Sequence, residues 1–394
     1  MKNKIITYLF ARFFDGISSG MFMMALPWVM LQQDNMGFFV AITALVCTTF
    51  SFVLTPFFAT WIDRYSRKKI LILMQIIQSI TALFVFIAYS NQYESHWLLA
   101  VAQLIFWTTN DMAWCCNNAF TQENFKRDEY AKLSSYEEIV MQSTTLTASA
   151  LGIILLENWS MVAFSTLAAM ASFLSACCYI MTPYQRKLIN TLKQSFLSQL
   201  TQSKKIFAKQ IHFYCFLALS CLSYPVLTFM AKLVPIYFSE QNVDGALFAT
   251  WNMSYGLGAL LSGLVIARLL VRFDNENAMI FSMFTMAALL IIMGSYLSPT
   301  LIIGLTLIIG FFNSYNRIAR TNKLHHVIAI NERGRVDGGL KLFSTMAQSI
   351  SYVVIALLSY AQLTELGFAL AGIVLLIAAT VMLQFRSRFA YQLA

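Results

Sequence analysis

Twelve runs of mostly apolar residues recur along the chain with short polar breaks between them, at about 5–31, 37–62, 70–90, 97–119, 137–156, 160–182, 212–238, 246–270, 277–297, 300–318, 338–360 and 366–385. A hydrocarbon layer roughly 30 Å thick is crossed by about 20 helical residues at 1.5 Å rise each, and no open sheet or loop can cross it with its backbone unsatisfied. The runs therefore predict an all-α integral membrane protein with twelve transmembrane helices. At 58% hydrophobic and 11% charged residues, the chain is too apolar for a soluble core to hide its side chains. The first run follows Lys2 and Lys4 as a signal peptide would, but its length and the eleven runs after it identify a retained helix.

The net charge of +9 is explained by its distribution. With the N-terminus on the cytoplasmic side, the cytoplasmic segments hold every Lys and Arg except Arg12, Lys232 and Lys341, which fall within or at the edge of spans. The opposite loops carry acids instead: Asp34, Glu94, Glu157, Glu240, Asp244 and Glu365. This follows the positive-inside rule and predicts an even number of spans with both termini cytoplasmic. The excess positive charge is thus an orientation signal and a contact for anionic lipid, not a nucleic-acid surface. All seven cysteines lie in apolar runs, so neither a disulfide framework nor a structural metal is expected, and the four histidines lack metal-site spacing. No Walker sequence, serine elbow or other catalytic constellation is present, which argues against an enzyme and against a resident cofactor.

The longest polar interruption, 184–210, is rich in Lys and Arg and divides the chain into six-span halves, 1–183 and 211–394. Shifting one half by about 208 positions brings Pro27 onto Pro235, Gly37 onto Gly245 and Arg64 onto Arg272. Two parallel six-helix repeats joined by a basic cytoplasmic linker place a substrate cavity near the membrane midplane between the halves.

Between the second and third runs, "ATWIDRYSRKK" supplies Asp63, Arg64, Arg67, Lys68 and Lys69. In this position it resembles the Gly-x-x-x-Asp-Arg-x-Gly-Arg-Arg/Lys signature of the major facilitator superfamily, with Ala59 and Ser66 where the family usually has glycines. The stretches "ARFFDGISSGMFMMALPW" and "NERGRV" are similar to the bacterial branch that includes the enterobactin exporter and macrolide-efflux proteins. The resemblance covers the whole chain and implies a transporter that works by alternating access. It also implies a cytoplasmic gate latch, in which Asp63 accepts hydrogen bonds at the N-terminus of the eleventh span near Asp337, while Arg64 and Arg67 engage loop acids. For Lys68 and Lys69 the favoured reading is a purely topological role; for Asp63 and Arg64 it is the latch.

Ionisable residues inside spans are costly and face a partner or water. Asp15 and Asp111 each sit roughly 15 Å from the inner end of their runs, in spans that the resemblance assigns to the cavity wall. Arg12 is three residues from Asp15, so an ion pair there would neutralise it and leave Asp111 as the proton carrier. In the fourth run Gln103, Trp107, Asn110, Trp114 and Asn117 or Asn118 recur at helical spacing. They form either one wall for a flat amphipathic ligand or packing contacts between helices. Asn313, Tyr315 and Asn316 extend the same argument to the tenth run. Lys232, near the outer end of the seventh, either snorkels or meets an anionic substrate.

Taken together, the sequence predicts a monomeric, proton-coupled exporter of a small amphipathic compound, drug-like or a siderophore, in the cytoplasmic membrane of a bacterium. An importer of a nutrient or iron chelate and a non-transporting sensor or assembly partner are the alternatives.

Overall fold

The computed structural model describes residues 2–31, 37–186, 204–241, 245–272 and 274–393. Its helices are α1 (Lys2–Leu31), α2 (Gly37–Arg64), α3 (Arg67–Ser90), α4 (His96–Asn124), α5 (Tyr130–Asn158) and α6 (Met161–Met181). They continue with α7 (Ile211–Cys221), α8 (Ser223–Glu240), α9 (Gly245–Arg272), α10 (Asn275–Tyr296), α11 (Pro299–Val327), α12 (Arg333–Tyr360) and α13 (Leu366–Leu393). There is a single turn of 3-10 helix at Arg127–Glu129 and no strand among the described residues. Among the described residues, eight candidate spans are long and apolar enough to cross a membrane, with α7 and α8 counted as one. Helix α4 is not among them because Gln103, Asn110, Asp111 and Asn117 interrupt its apolar character.

Among the described residues, thirteen α-helices of eleven residues or more stand where twelve runs are expected, because the seventh run is broken at Leu222. The Leu222 amide bonds back to Leu219 at 3.0 Å, which tightens the last turn of α7. Pro225 follows; it has no N–H to offer Cys221, and its ring opposes that carbonyl, so the helix cannot continue in register there. Other helices outrun the apolar runs: α4 ends at Asn124 and α11 at Val327, while α5 begins at Tyr130 and α12 at Arg333. Hydropathy marks where a helix leaves hydrocarbon, whereas the backbone goes on pairing its own N–H and C=O groups beyond that depth.

The chain forms two compact units. The first comprises Met1–Lys126, Val140–Gln194 and Ala329–Gly338; the second comprises Arg127–Ile139, Ser195–Ile328 and Gly339–Ala394. In the first, α1 packs on α6, α3 on α4 and α6, and α2 on α4, around a core that includes Phe22, Phe106 and Phe164. In the second, the pairings are α7 with α13, α10 with α11 and α13, and α9 with α11. The two sets correspond helix for helix. Gly37 and Arg64 bound α2, and Gly245 and Arg272 bound α9, so the expected repeat offset aligns both ends of this helix pair. Outward faces of both units carry exposed apolar side chains such as Leu45, Phe84, Phe173, Leu264 and Ile377, the pattern of a protein solvated by lipid.

In the second unit α9 and α11 meet backbone to backbone. A Cβ on Gly258 would lie 1.8 Å from the Leu307 carbonyl oxygen, and one on Gly310 would lie 2.2 Å from that of Tyr255. This reciprocal pair of glycines sets the distance between α9 and α11, and with it the site described next. The linker expected at 184–210 falls largely outside the described residues, as do Asp34 and Asp244.

Candidate functional site

Three polar assemblies stand out within otherwise apolar packing. The first, in the first unit, is built on Asp63 at the end of α2. One carboxylate oxygen accepts the backbone N–H of Gly334 at 2.8 Å; the other accepts the Arg335 N–H and its Nε, each at 3.2 Å. These are the first amides of α12, which have no acceptor within their own helix, so a carboxylate delivered from α2 caps it and meets its dipole. Gly334 is required for this approach, because a Cβ there would lie 2.6 Å from the Ala59 carbonyl oxygen and 2.8 Å from Asp63 Oδ1. Gly338 likewise lies against the Ala59 side chain. The glycine that the family signature places on α2 is thus replaced by alanine, and the room is supplied by α12.

Arg67 completes this assembly. Its side chain is wholly buried and donates to the carbonyls of Ala119 at 2.9 Å, Ile62 at 3.4 Å and Ile330. It lies 3.7 Å from both Asp63 and Glu123, and Tyr184 donates to Glu123 at 2.7 Å. The expected contact of Asp63 with the start of α12 is present, three residues earlier than the Asp337-Gly338-Gly339 stretch. Asp337 instead takes the Arg333 Nε at 2.8 Å. Arg64 contributes its carbonyl, which accepts from Arg186 at 2.8 Å. Lys68 donates to the Ile180 and Thr182 carbonyls at 2.7 and 2.9 Å, so it caps the end of α6 rather than serving topology alone.

The second assembly, also in the first unit, contains the two span acids. Asp15, 2% exposed, pairs with Arg12 at 3.1 Å and accepts from Gln75 at 2.8 Å. Asp111 accepts from the Ser51 hydroxyl of α2. Asp15 and Asp111 lie at matching distances from Lys2 and Asn124, the ends of their helices, about 20 Å at 1.5 Å per residue. Along α4, Trp107, Asn110, Trp114 and Asn118 are half-buried, whereas Gln103 and Asn117 are buried. Asn117 accepts from Tyr179 at 2.9 Å and from Tyr8 at 3.4 Å, so it belongs to packing inside the unit.

The third assembly, in the second unit, is legible in the sequence only along α11, at Asn313, Tyr315 and Asn316. Glu138 of α5, buried, takes the Ser314 hydroxyl at 2.6 Å and the Arg317 guanidinium on the same carboxylate oxygen. One turn back along α11, Asn313 donates to the Tyr255 hydroxyl at 2.7 Å. Trp251 donates its indole N–H to Thr306 at 2.9 Å. Trp251, Tyr255, Thr306 and Asn313 line a small cavity whose apolar wall includes Met230 and Met286. Tyr315 and Asn316 are buried, and Asn316 donates to Ser220 O at 2.8 Å and Ser223 Oγ at 2.9 Å, which ties α11 to α7 and α8. Lys232 is exposed. The described residues contain no cluster of His, Cys, Asp and Glu able to hold a metal.

Residues 8–251 match the model of the Major Facilitator Superfamily, more than half of the chain. A search of curated proteins gives no match. Among solved structures, the chain is similar to a bacterial homologue of the iron transporter ferroportin in its outward-facing state, with TM-score 0.74 and 15% identity over 98% of this chain and 99% of that one. It is also similar to the human organic anion transporter MFSD10 (TETRAN), with TM-score 0.77 and 11% identity over 97% and 99% of the two chains. For the transporter FucP in the outward conformation, the TM-score is 0.72 and the identity 13% over 96% and 98%. At such identities the likeness is one of fold, and it agrees with the family match and with the repeated helix pairings. The chain belongs to the major facilitator superfamily and is a multi-pass membrane transporter rather than an enzyme.

Proposed function

We propose that this transporter is a proton-coupled exporter of a small amphipathic molecule, drug-like or a siderophore, working by alternating access as a monomer in a bacterial cytoplasmic membrane. Counting α7 and α8 as one span gives twelve, with both termini cytoplasmic and the halves 1–183 and 211–394 rocking about the linker at 184–210. The observation that carries the reading is the Asp111–Ser51 contact. A serine hydroxyl donates to a carboxylate and accepts from a carboxylic acid equally well, so Asp111 keeps a partner in either protonation state. Asp15 is instead engaged by Arg12 and Gln75, and these three orient the site. The half-buried face of α4, with Trp107, Asn110, Trp114 and Asn118, supplies one wall for the cargo, and Gln103, Asn313, Tyr315 and Lys232 contribute to the same pathway.

The test uses inside-out vesicles with an acidified lumen and a fluorescent pH reporter, challenged with lipophilic drugs and iron chelators. Wild type is expected to release protons on addition of a cargo compound. Asp111→Asn is expected to retain less than about a tenth of that response, the loss typical when an acid–base group is removed. Full coupling in the variant would remove Asp111 from the mechanism, and silence of the folded wild type towards every compound would overturn proton-driven export.

The Asp63 assembly is the cytoplasmic latch in this reading, formed with Arg64, Arg67 and Asp337 nearby. Asp63→Asn retains an acceptor for the α12 amides but loses the charge that Arg67 and Arg335 share. Transport is expected to slow several-fold with normal insertion into the membrane, as measured by initial rates normalised to folded protein.

A further inference from the structure

Helix α12 has two open faces of opposite character. Met346, Ile350, Val353 and Leu357 are exposed and apolar, as a helix bathed in lipid requires. Lys341, Thr345, Gln348 and Tyr352 repeat the same spacing five positions earlier, which at 3.6 residues per turn sets them about 140° round from the lipid face. Tyr352 is exposed and the other three are half-buried. Polar side chains left open at membrane depth meet water or a cargo, because hydrocarbon would leave them unsolvated. Helix α8 has the same kind of open side: its exposed described residues are Tyr224, Ala231 and Lys232, with no large aliphatic side chain among them.

The two helices meet at Lys341, whose Nζ lies 6.0 Å from the centre of the Tyr224 ring, within reach of a cation–π attraction. Tyr224 stands about twelve residues into the seventh run, roughly 18 Å deep, so Lys341 turns its ammonium towards the middle of the membrane. Snorkelling to the cytoplasmic surface would carry it the other way. One turn earlier, Asp337 takes the Arg333 Nε at 2.8 Å. Further along α12, Gln348 Nε2 donates to the Tyr352 oxygen at 2.8 Å, which leaves the Tyr352 O–H to donate outward. Segments 223–239 and 338–360 contain Lys232 and Lys341 and no acid. Beyond Asp337 the face therefore presents cations, an O–H donor and an aromatic ring, and no carboxylate from either helix.

We propose that this face of the second unit is a cargo subsite for an aromatic carboxylate, with the ring laid against Tyr224 and the carboxylate on Lys341. Lys341 and Tyr352 are roughly 16 Å apart along the helix axis, so a cargo larger than one ring system reaches Gln348 and Tyr352 with its outer end. An uncharged amide of the same shape keeps the ring contact but forgoes the ionic bond, and an ammonium is repelled by Lys341 and Lys232. The proposal rests on the export reading only in treating the occupant as cargo; the binding itself requires no proton gradient.

The test measures binding of 1-naphthoate, 1-naphthamide and 1-naphthylmethylammonium to the purified full chain by isothermal titration calorimetry, with protein-free micelles as the blank. The carboxylate is expected to bind at least about tenfold more tightly than the amide or the ammonium, the worth of one hydrogen bond to a charged group. Lys341→Met is expected to abolish that preference and Lys341→Arg to retain it. Tyr224→Leu is expected to weaken the carboxylate and the amide alike, by about threefold, through loss of ring stacking. Equal affinity for the three compounds, a preference that survives in Lys341→Met, or no binding of 1-naphthoate would overturn the subsite. The wild-type comparison decides the matter even where a variant does not fold. Proton release from vesicles reports separately on the export reading, so the two can fail independently.

Discussion

Valine at position 258 is expected to disable the second unit, whereas valine at position 304 is expected to be tolerated. The new Cβ of Gly258→Val would begin 1.8 Å from the Leu307 carbonyl oxygen and 2.7 Å from its carbon. Both are backbone atoms of α11 and cannot swing aside as a side chain would, so α9 and α11 must separate. Their separation pulls on three cross-links: Trp251 to Thr306 at 2.9 Å, Ser254 to the Ile303 carbonyl at 2.7 Å, and Asn313 to Tyr255 at 2.7 Å. Overpacking of a tight contact costs about 1–3 kcal/mol, and each weakened hydrogen bond adds about 1 kcal/mol, so a loss of at least about 3 kcal/mol is expected. Position 304 lies on α11, and a Cβ there would meet nothing within 4 Å, so Gly304→Val adds bulk without a clash. Thermal unfolding in detergent, followed by the monodisperse fraction on size exclusion, distinguishes the two. Equal melting of both variants would mean that the α9–α11 contact is softer than its geometry.

The fold is legible in the sequence because membrane solvation leaves a repeating mark. Runs of apolar residues, basic loops on one side and the Gly37/Gly245 and Arg64/Arg272 coincidences all reflect constraints that act on every span. The Asp63 assembly is legible for a similar reason: Asp63 is an acid in a basic turn, where topology gives it no use. Its partner stands three residues from the expected place because α12 begins in "NERGRV", too polar to be counted as span. Glu138 and Arg317 escape a hydropathy reading for the same cause. Glu138 follows another glutamate at the edge of the fifth run, and Arg317 falls in with the cytoplasmic cations. The fold brings these two residues, each at the edge of its run, together across 179 positions. An opposite-charge pair, each member on a helix that continues beyond its apolar run, is the signal that would find them. Trp251 and Tyr255 carry no such mark, since an aromatic in an apolar run reads as packing. Only the nearby Gly256 and Gly258, where a span can approach another backbone, point to a special place.

Removing the Arg67 side chain is expected to be the most damaging single change in the first unit. The guanidinium is fully buried, and five contacts converge on it from the ends of α2 and α4 and from the residues before α12. Arg67→Met keeps much of the volume but strips Glu123 of this cation, leaves Asp63 to Arg335, and removes the side-chain donor to the carbonyls of Ala119 and Ile330. Breaking a buried ion pair from one side costs about 3–5 kcal/mol. Arg67→Lys should recover only part of that, because a single ammonium cannot reach three carbonyls and two carboxylates laid out for a planar fork. The informative variant is the triple, Arg67→Met with Asp63→Asn and Glu123→Gln, in which no carboxylate is left to desolvate. Its melting temperature is expected to rise above that of Arg67→Met, while transport stays low because the charged cap on α12 is gone. Stability and flux would then separate in one protein. If Arg67→Met melts like wild type, the buried network contributes little to stability. If the triple variant transports at the wild-type rate, the charges are dispensable for gating as well, and the latch reading fails.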